Sequence, residues 1–433
     1  MRSKQVFKIN NTPLFIDQLK AWSKDFPAKV WLESSGERPL YSFYDFILAA
    51  GMESEIRSDT KTAFENLEQY QEKTGDWLFG YFSYDLKNAI ENLESSKVDA
   101  LLFPELFFFQ PQKLVLLKGN QVEFHYLTKD KRAIETDFKR LITEDFKHPG
   151  QGVLSNTSPK IKMKIFKEEY HKRFLILQEH IQKGDIYEVN FCQEFYVPET
   201  EIDPYKTYEK LNSISEAPFS SFLHFDDFYV ISASPERYLK RQGGQLISQP
   251  IKGTAKRSED SAKDLEIKRH LARDTKELTE NIMIVDLVRN DLSKSAEKGS
   301  VRVEELCEVY SYKQVHQMIS TITSSVGKDK KSVSLIKDTF PMGSMTGAPK
   351  IEAMRIIEKI EASKRGVYSG ALGYFKPNGD FDFSVVIRSI LYNQSKHYSS
   401  FTVGSAITAS SKAEKEYEEC LLKAKAMREV LEN

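Results

Sequence analysis

Three apolar runs, residues 366–375, 381–391 and 398–406, follow one another near the end of the chain, separated only by Pro377-Asn378-Gly379-Asp380 and Asn393-Gln394-Ser395. Parallel strands need a crossover of a dozen or more residues, so linkers this short force the runs to fold back as an antiparallel meander. Ser411, with Glu414 three residues on, reads as the capping box of a final helix. The same pattern recurs upstream. Strands are predicted over 220–225 and 228–234, joined at Asp226-Asp227, and over 245–251 after the Gly243-Gly244 turn. Earlier still, 77–84 (WLFGYFSY) reads as a buried strand and 101–109 as an apolar run around Pro104. Residues 113–117 and 121–127 form a hairpin signal about Gly119-Asn120.

Helical periodicity occupies separate stretches. Phe166, Tyr170, Phe174, Leu177 and Ile181 step by four, four, three and four, the spacing of one helix face, and Gly184 is its stop. Further helices are predicted over 60–73 and, as one long stretch, over 261–289. Antiparallel strands with helices set apart from them define an α+β fold, not a doubly wound sheet. Gly, Ser, Pro and Asn gather at 147–160 (KHPGQGVLSNTSPK), which divides the chain into 1–147 and 160–433.

Composition narrows the classes of function. Lys+Arg number 62 against 63 Asp+Glu, so the basic excess of a nucleic-acid binder is missing. No stretch approaches the roughly 18 apolar residues of a membrane span. The start, Met1-Arg2-Ser3-Lys4-Gln5, lacks an apolar signal-peptide core. Cys192, Cys307 and Cys420 lie far apart without metal-ligand spacing, which suits a reducing cytoplasm.

Several side chains could carry chemistry. Glu416, Glu419 and Lys423 share one face of the last helix and border its apolar arc of Tyr417, Cys420, Leu421, Ala424, Met427 and Leu431. With Glu277 and Glu280 they supply four carboxylates from two helices, enough for a hard divalent cation such as Mg²⁺. Glutamates three apart are equally ordinary on a solvated helix. Lys252, in Pro250-Ile251-Lys252-Gly253-Thr254, stands at a strand end against a glycine. Desolvated there, it could act as a nucleophile; otherwise it is a surface lysine. Glu236 sits just past another strand end, as an acid or as a salt-bridged loop residue. His316 opens a buried segment, where a lone histidine is usually structural. Arg388 interrupts the apolar run FSVVIRSIL and needs an ion-pair partner or an anionic ligand. Residues 343–350 (GSMTGAPK) have the wrong spacing for a phosphate loop, and Pro349 fits the first position of a helix. Such a helix start could bind a carboxylate or be a plain capped loop.

Taken together, GDIYEVNFCQEF (184–195), APFSSFLHF (217–225), SPERYL (234–239), PIKGTAKR (250–257), ENIMIVDLVRNDL (280–292), HQMISTIT (316–323), FPMGSMTGAPK (340–350), SGALGYF (369–375) and EYEECLLK (416–423) resemble, in order, the motifs of the chorismate-utilising enzymes. DWLFGYFSYDL (76–86) resembles part of that family's more variable N-terminal region. The family includes component I of anthranilate synthase, component I of aminodeoxychorismate synthase, and the isochorismate and salicylate synthases. The resemblance implies the anthranilate synthase component I-like fold, with two intertwined subdomains of antiparallel sheets, outer helices and an active site between the sheets.

It also implies roles. Mg²⁺ is expected to bridge a chorismate carboxylate to Glu280 and Glu419, with Glu277 and Glu416 close behind. Glu236 matches a general acid for the C4 hydroxyl, and Lys252 a nucleophile at C2, for which the lysine must become a neutral amine. Tyr374 and Arg388 match positions that hold the enolpyruvyl carboxylate, and His316 a histidine near the ring. Lys423, Thr254, Ser344 and the backbone of Gly404, Ser405 and Ala406 fall in the same pocket, although the family usually has more glycine where Ser405 and Ala406 stand. Anthranilate synthases carry alanine at the Lys252 position, whereas aminodeoxychorismate synthases typically carry this lysine. Isochorismate and salicylate synthases place a water-activating lysine where Glu188 stands, and the amino-transferring members usually a glutamine. The implied activity is amination of chorismate, with ammonia from a separate glutamine amidotransferase subunit. The competing readings are anthranilate synthesis and a non-catalytic ligand-binding homologue. Trp31-Leu32-Glu33-Ser34 echoes the segment through which anthranilate synthases bind tryptophan, while Ala217-Pro218-Phe219-Ser220 differs from its proline-rich counterpart.

Overall fold

The computed structural model describes residues 2–35, 40–58, 61–128, 130–144, 146 and 160–432, so the break expected at 147–160 lies outside the described residues except for Lys160. The meander forms: Ala371–Phe375 pairs antiparallel with Phe381–Val385, and Ser389–Asn393 with Tyr398–Thr408. The run expected over 381–391 is not one strand. It breaks at 386–388, where Arg388 takes a left-handed φ of 53°. The break sends its two parts to different neighbours, Phe381–Val385 to Arg237–Gln242 and Ser389–Asn393 to Phe228–Ser234.

Two sheet halves result. One runs Glu188–Val197, Tyr398–Thr408, Ser389–Asn393, Phe228–Ser234, Phe219–Phe225, Ala28–Glu33 and Phe46–Ser58. The other runs Leu78–Phe82, Ala371–Phe375, Phe381–Val385, Arg237–Gln242, Gln245–Gln249 and Val315–Ser325. The strand Leu106–Lys118 pairs with both Phe46–Ser58 and Leu78–Phe82, which ties the halves together. Early and late parts of the chain therefore alternate within each half, and the fold is α+β with intertwined halves. One apolar core includes Phe79, Phe107, Leu239 and Phe383. A second unites the helices Lys167–Lys183, Pro204–Ser215 and Ala413–Glu432 with the first half through Phe174, Leu211, Met427, Ile231 and Phe401.

Polar side chains account for most boundary differences. The stretch 261–289 is two helices, Ser261–Leu271 and Thr275–Ser293, because Asp274 caps the second by accepting from the backbone N–H of Lys276 and Glu277. The last helix begins at Ala413, not Ser411. The Ser411 hydroxyl accepts from Thr408 N at 3.1 Å, and Glu414 pairs with Lys167 at 2.7 Å, so no capping box forms. Phe166 is the 65% exposed N-cap of Lys167–Lys183 and not part of its buried face, while Gly184 (φ 83°) ends that helix as expected. The runs 101–109 and 113–117 merge into Leu106–Lys118, which turns at Gly119 into Gln121–Tyr126. Pro349 stands one position earlier than expected, as the N-cap of Lys350–Ile360 and not its first helical residue. Pro250, which has no N–H, ends the strand Gln245–Gln249, and a new strand Ile251–Lys256 follows. Among the described residues, no helix is long and apolar enough to cross a membrane.

Candidate active site

A cavity of about 680 Å³ opens between the two halves. Strand residues Asn190, Val403, Gly404 and Ala406 line it from one half, and Lys252, Thr254 and Gln317 from the other. The helices Thr275–Ser293 and Ala413–Glu432 contribute Glu277, Glu280, Glu419 and Lys423.

Lys252 enters this cavity from a β-bulge. The strand Ile251–Lys256 pairs with Val315–Ser325 through Ile251↔Ile319 and Thr254↔Gln317, so Lys252 and Gly253 together face Met318 alone. Gly253 has φ +94°, and a Cβ there would lie 3.2 Å from Met318 Cβ and 3.3 Å from Glu277 Cβ. Asn281 clamps the bulge, its Nδ2 donating to the carbonyls of Lys252 and Met318, each at 3.2 Å. The Lys252 ammonium donates to Glu188 Oε1 at 2.7 Å. Burial works to lower the pKa of Lys252, but Glu188, Glu280 and Glu419 outweigh it and raise it. In this state Lys252 is a protonated ion-pair member, contrary to the neutral amine expected of a nucleophile.

Glu236 lies between the strands Phe228–Ser234 and Arg237–Gln242 and accepts from Ser344 Oγ at 2.6 Å. Burial pushes its carboxyl up to about 7, with the Ser344 hydrogen bond and Lys252 opposing the rise. A carboxyl that titrates there can donate a proton near neutral pH.

On the helical side, Lys276 lies 3.5 Å from Glu280 and 3.3 Å from Glu416, and Lys423 lies 2.6 Å from Glu419. Burial pushes Glu280 up to about 7, with Lys252 and Lys276 opposing it and Glu188 and Glu277 adding to it. Burial also raises Glu277; Glu419 is held low because its lysines outweigh burial. Glu416 is 2% exposed and stands behind the cavity lining. Glu280 Oε1 and Glu416 Oε2 are buried without a hydrogen-bond partner. Among the described residues, no group of three or more His, Cys, Asp or Glu is arranged to hold a metal ion.

Arg388 lines the cavity, and among the described residues its guanidinium has no ion pair. Burial lowers its pKa, opposed by Tyr368 and Glu419. Tyr368, which sequence reasoning missed, lines the cavity beside it. Tyr374 does not. It packs against Trp77 and Phe79, with ring centroids at 5.5 and 5.6 Å, and lines a separate cavity of about 70 Å³ with Leu32, Glu33, Ser34, Pro218, Phe219 and Ser220. Both segments compared with a tryptophan site thus meet, away from the main cavity.

Strand alternation removes two more expected residues. Gly404 and Ala406 face the cavity, whereas Ser405 points to the other side and meets the Tyr170 hydroxyl at 3.2 Å. His316 is 1% exposed, bonded to Asp264 at 3.1 Å and Ser311 at 2.9 Å, while its neighbours Val315 and Gln317 reach the cavity. Gly404 is required sterically, since a Cβ would lie 2.6 Å from Cys192 Sγ, and its carbonyl accepts from Lys423 at 2.9 Å. The loop before Lys350–Ile360 contributes Ser344 and Met345 to the lining, but the helix start itself is not part of it, and Lys350 pairs with Asp291 at 2.6 Å.

The family model described as chorismate binding enzyme matches residues 27–429. The chain is 33% identical over 366 residues to aminodeoxychorismate synthase component 1 of Salmonella typhimurium, covering 82% of this chain and 76% of that one. It is 32% identical over 372 residues to anthranilate synthase component 1 of Acetivibrio thermocellus, covering 82% and 74%. Its fold is similar to that of anthranilate synthase component I from Streptococcus pneumoniae, with a TM-score of 0.76 at 24% identity over 90% and 93% of the two chains. It is also similar in fold to MenF, the menaquinone-specific isochorismate synthase from Escherichia coli, with a TM-score of 0.76 at 16% identity over 99% and 95%. With that match spanning most of the sequence, the chain belongs to the chorismate binding enzyme family.

Proposed function

We propose that this chain is component I of an aminodeoxychorismate synthase, which converts chorismate and ammonia into 4-amino-4-deoxychorismate for 4-aminobenzoate and folate synthesis. The observation that carries the reading is Lys252, aimed into the cavity from its bulge, where the anthranilate synthases carry alanine. Relatives named for both activities are similar to this chain, so the lysine supplies the choice between them.

The chain's residues divide the work. Arg388, half-buried and without an ion pair among the described residues, holds a substrate carboxylate, with Tyr368 beside it. Glu236 protonates the departing C4 hydroxyl, which leaves as water while the Lys252 amine adds at C2. Ammonia then bonds to C4 and the lysine is expelled. The buried oxygens of Glu280 and Glu416 that lack hydrogen-bond partners fit a hard divalent cation, which takes oxygen ligands and retains waters. Glu280 and Glu419 would hold Mg²⁺, with Glu277 and Glu416 behind them, and the ion would neutralise a substrate carboxylate facing these acids. The component I names of relatives support a separate glutamine amidotransferase as the ammonia source.

The test is incubation with chorismate, Mg²⁺ and an ammonium salt, with products resolved by mass. Aminodeoxychorismate is expected, from ammonium but not from glutamine. Anthranilate and pyruvate would replace this reading with the anthranilate synthase one, and no turnover would favour a non-catalytic homologue.

A further inference from the structure

Lys252 is held as an ammonium, yet a lysine that forms a bond to carbon must first give up a proton. Glu188 Oε1, 2.7 Å from Nζ, is the one hydrogen-bonding partner of that ammonium among the described residues. Glu188 is 1% exposed, and its Oε2 is buried without a hydrogen-bond partner. Its backbone is fixed from both sides, paired with Ala348 on one and Thr408 on the other. The Lys252 backbone is fixed by Asn281. Both ends of the pair are therefore rigid, as a short proton transfer requires.

We propose that Glu188 is the proton acceptor that converts Lys252 from an ammonium to a nucleophilic amine; this rests on the nucleophile reading of Lys252 above. Other charged groups that line the cavity beside Lys252 include Glu236, Glu277, Glu280, Glu419, Lys423, Arg388, Lys256 and Arg257. The proton balance closes. The ammonium passes a proton to Glu188 and the amine bonds to C2 as a cationic secondary amine. The C4 hydroxyl takes a proton from Glu236 and leaves as water. Ammonia bonds to C4 while the C2–N bond breaks and its electron pair returns to Lys252. Glu188 gives its proton back to the lysine, and the product ammonium returns one to Glu236. Glutamine, usual at this position in amino-transferring relatives, keeps an acceptor oxygen for Nζ and removes only the capacity to take the proton.

Adduct formation with chorismate and Mg²⁺ in the absence of ammonia is followed by quenched-flow intact-protein mass spectrometry from pH 6 to 9. Wild type, Glu188→Gln and Glu188→Asp are compared. At pH 7 the Gln variant is expected to be slower by about tenfold or more. The ratio of wild-type to Gln rates should shrink as pH rises and bulk solvent takes the proton, with chorismate affinity kept within about threefold. Equal rates and equal pH profiles would overturn the proposal. If the amide does not fold, the Asp variant decides: its carboxylate is drawn back by one methylene and should be slower, and a wild-type rate overturns the proposal. No adduct on the wild type would overturn the nucleophile reading itself, and this proposal with it.

Discussion

On the helical side of the cavity two lysines serve three of the four carboxylates: Lys276 bridges Glu280 and Glu416, Lys423 meets Glu419 at 2.6 Å, and Glu277 has no ion pair among the described residues. On the strand side, Lys252 is matched by Glu188, but Arg388 faces the cavity without an ion pair among the described residues. A half-buried charge without an ion pair weighs against the fold, so the strand side keeps Arg388 at the expense of the empty protein. The difference teaches which charges build the walls and which await a ligand. Paired charges hold elements in place, and Arg388 marks where an anion goes.

The largest expected effect comes from removing Lys252, the proposed nucleophile on the strand side. Lys252→Ala should slow aminodeoxychorismate formation by about 10³-fold or more and abolish the covalent adduct, with both read by mass spectrometry. A persistent adduct would show that a residue other than Lys252 is the nucleophile. Next is the unpaired cation. Arg388→Met should weaken chorismate binding by about 100-fold, measured by calorimetry, as expected when one partner of a buried charge pair is truncated. The same change should stabilise the ligand-free protein by about 1 kcal/mol in denaturant titrations. Loss of stability instead would mean that Arg388 is a wall-building charge after all.

On the helical side the expected loss is smaller and depends on the cation. Glu280→Gln should reduce activity at limiting Mg²⁺ by about tenfold or more. Burial holds Glu280 near 7 against an ordinary 4.5, so the fold prefers the neutral acid. Its contribution to stability is therefore unfavourable once it ionises. The sign follows: the native state loses stability through this group as pH rises from about 4.5 to about 7, and the Gln variant does not. Mg²⁺ should restore that loss in the wild type only, which thermal melts with and without the ion will show. Glu236 gives a related readout, because adduct formation should fall as pH rises through about 7 and the acid loses its proton. The smallest effect is expected at His316, which reaches neither wall. His316→Gln should change turnover by less than about threefold, and its effect should appear in stability through the lost contact with Asp264.

The antiparallel meander and the positions of the helices were legible in the sequence because their periods are fixed, whereas Lys252, Glu236 and the four glutamates stood out only through the resemblance of their motifs to a family, since strand ends and helix faces alone left each with an ordinary alternative. What was not legible depends on which way a strand side chain points. Ser405 and His316 lie one residue from cavity-facing neighbours, and a shift of one residue along a strand reverses the face. The bulge at Gly253 and the left-handed Arg388 change that parity locally, and neither follows from composition. Tyr374 and Tyr368 are both near the right motif, and only the break at 386–388 and the pairing of Ala371–Phe375 with Leu78–Phe82 decide between them. The Lys252–Glu188 pair joins strands that are distant in sequence, a contact no local pattern encodes.

The pairing of Glu188–Val197 with Tyr398–Thr408 sets a clock on the birth of this site. At ~5–20 residues per second, the partner of Glu188 leaves the ribosome roughly 10–40 s after it. During that interval the strand that carries Glu188 and Asn190 has an open edge, and the helix that carries Glu419 and Lys423 does not yet exist. Most of the chain is therefore committed before any part of the cavity is enclosed. Distant pairings also fold slowly, so the nascent chain passes through a period in which its hydrogen-bonding edges are exposed to other chains, and the cavity is enclosed only when Tyr398–Thr408 and Ala413–Glu432 have joined it.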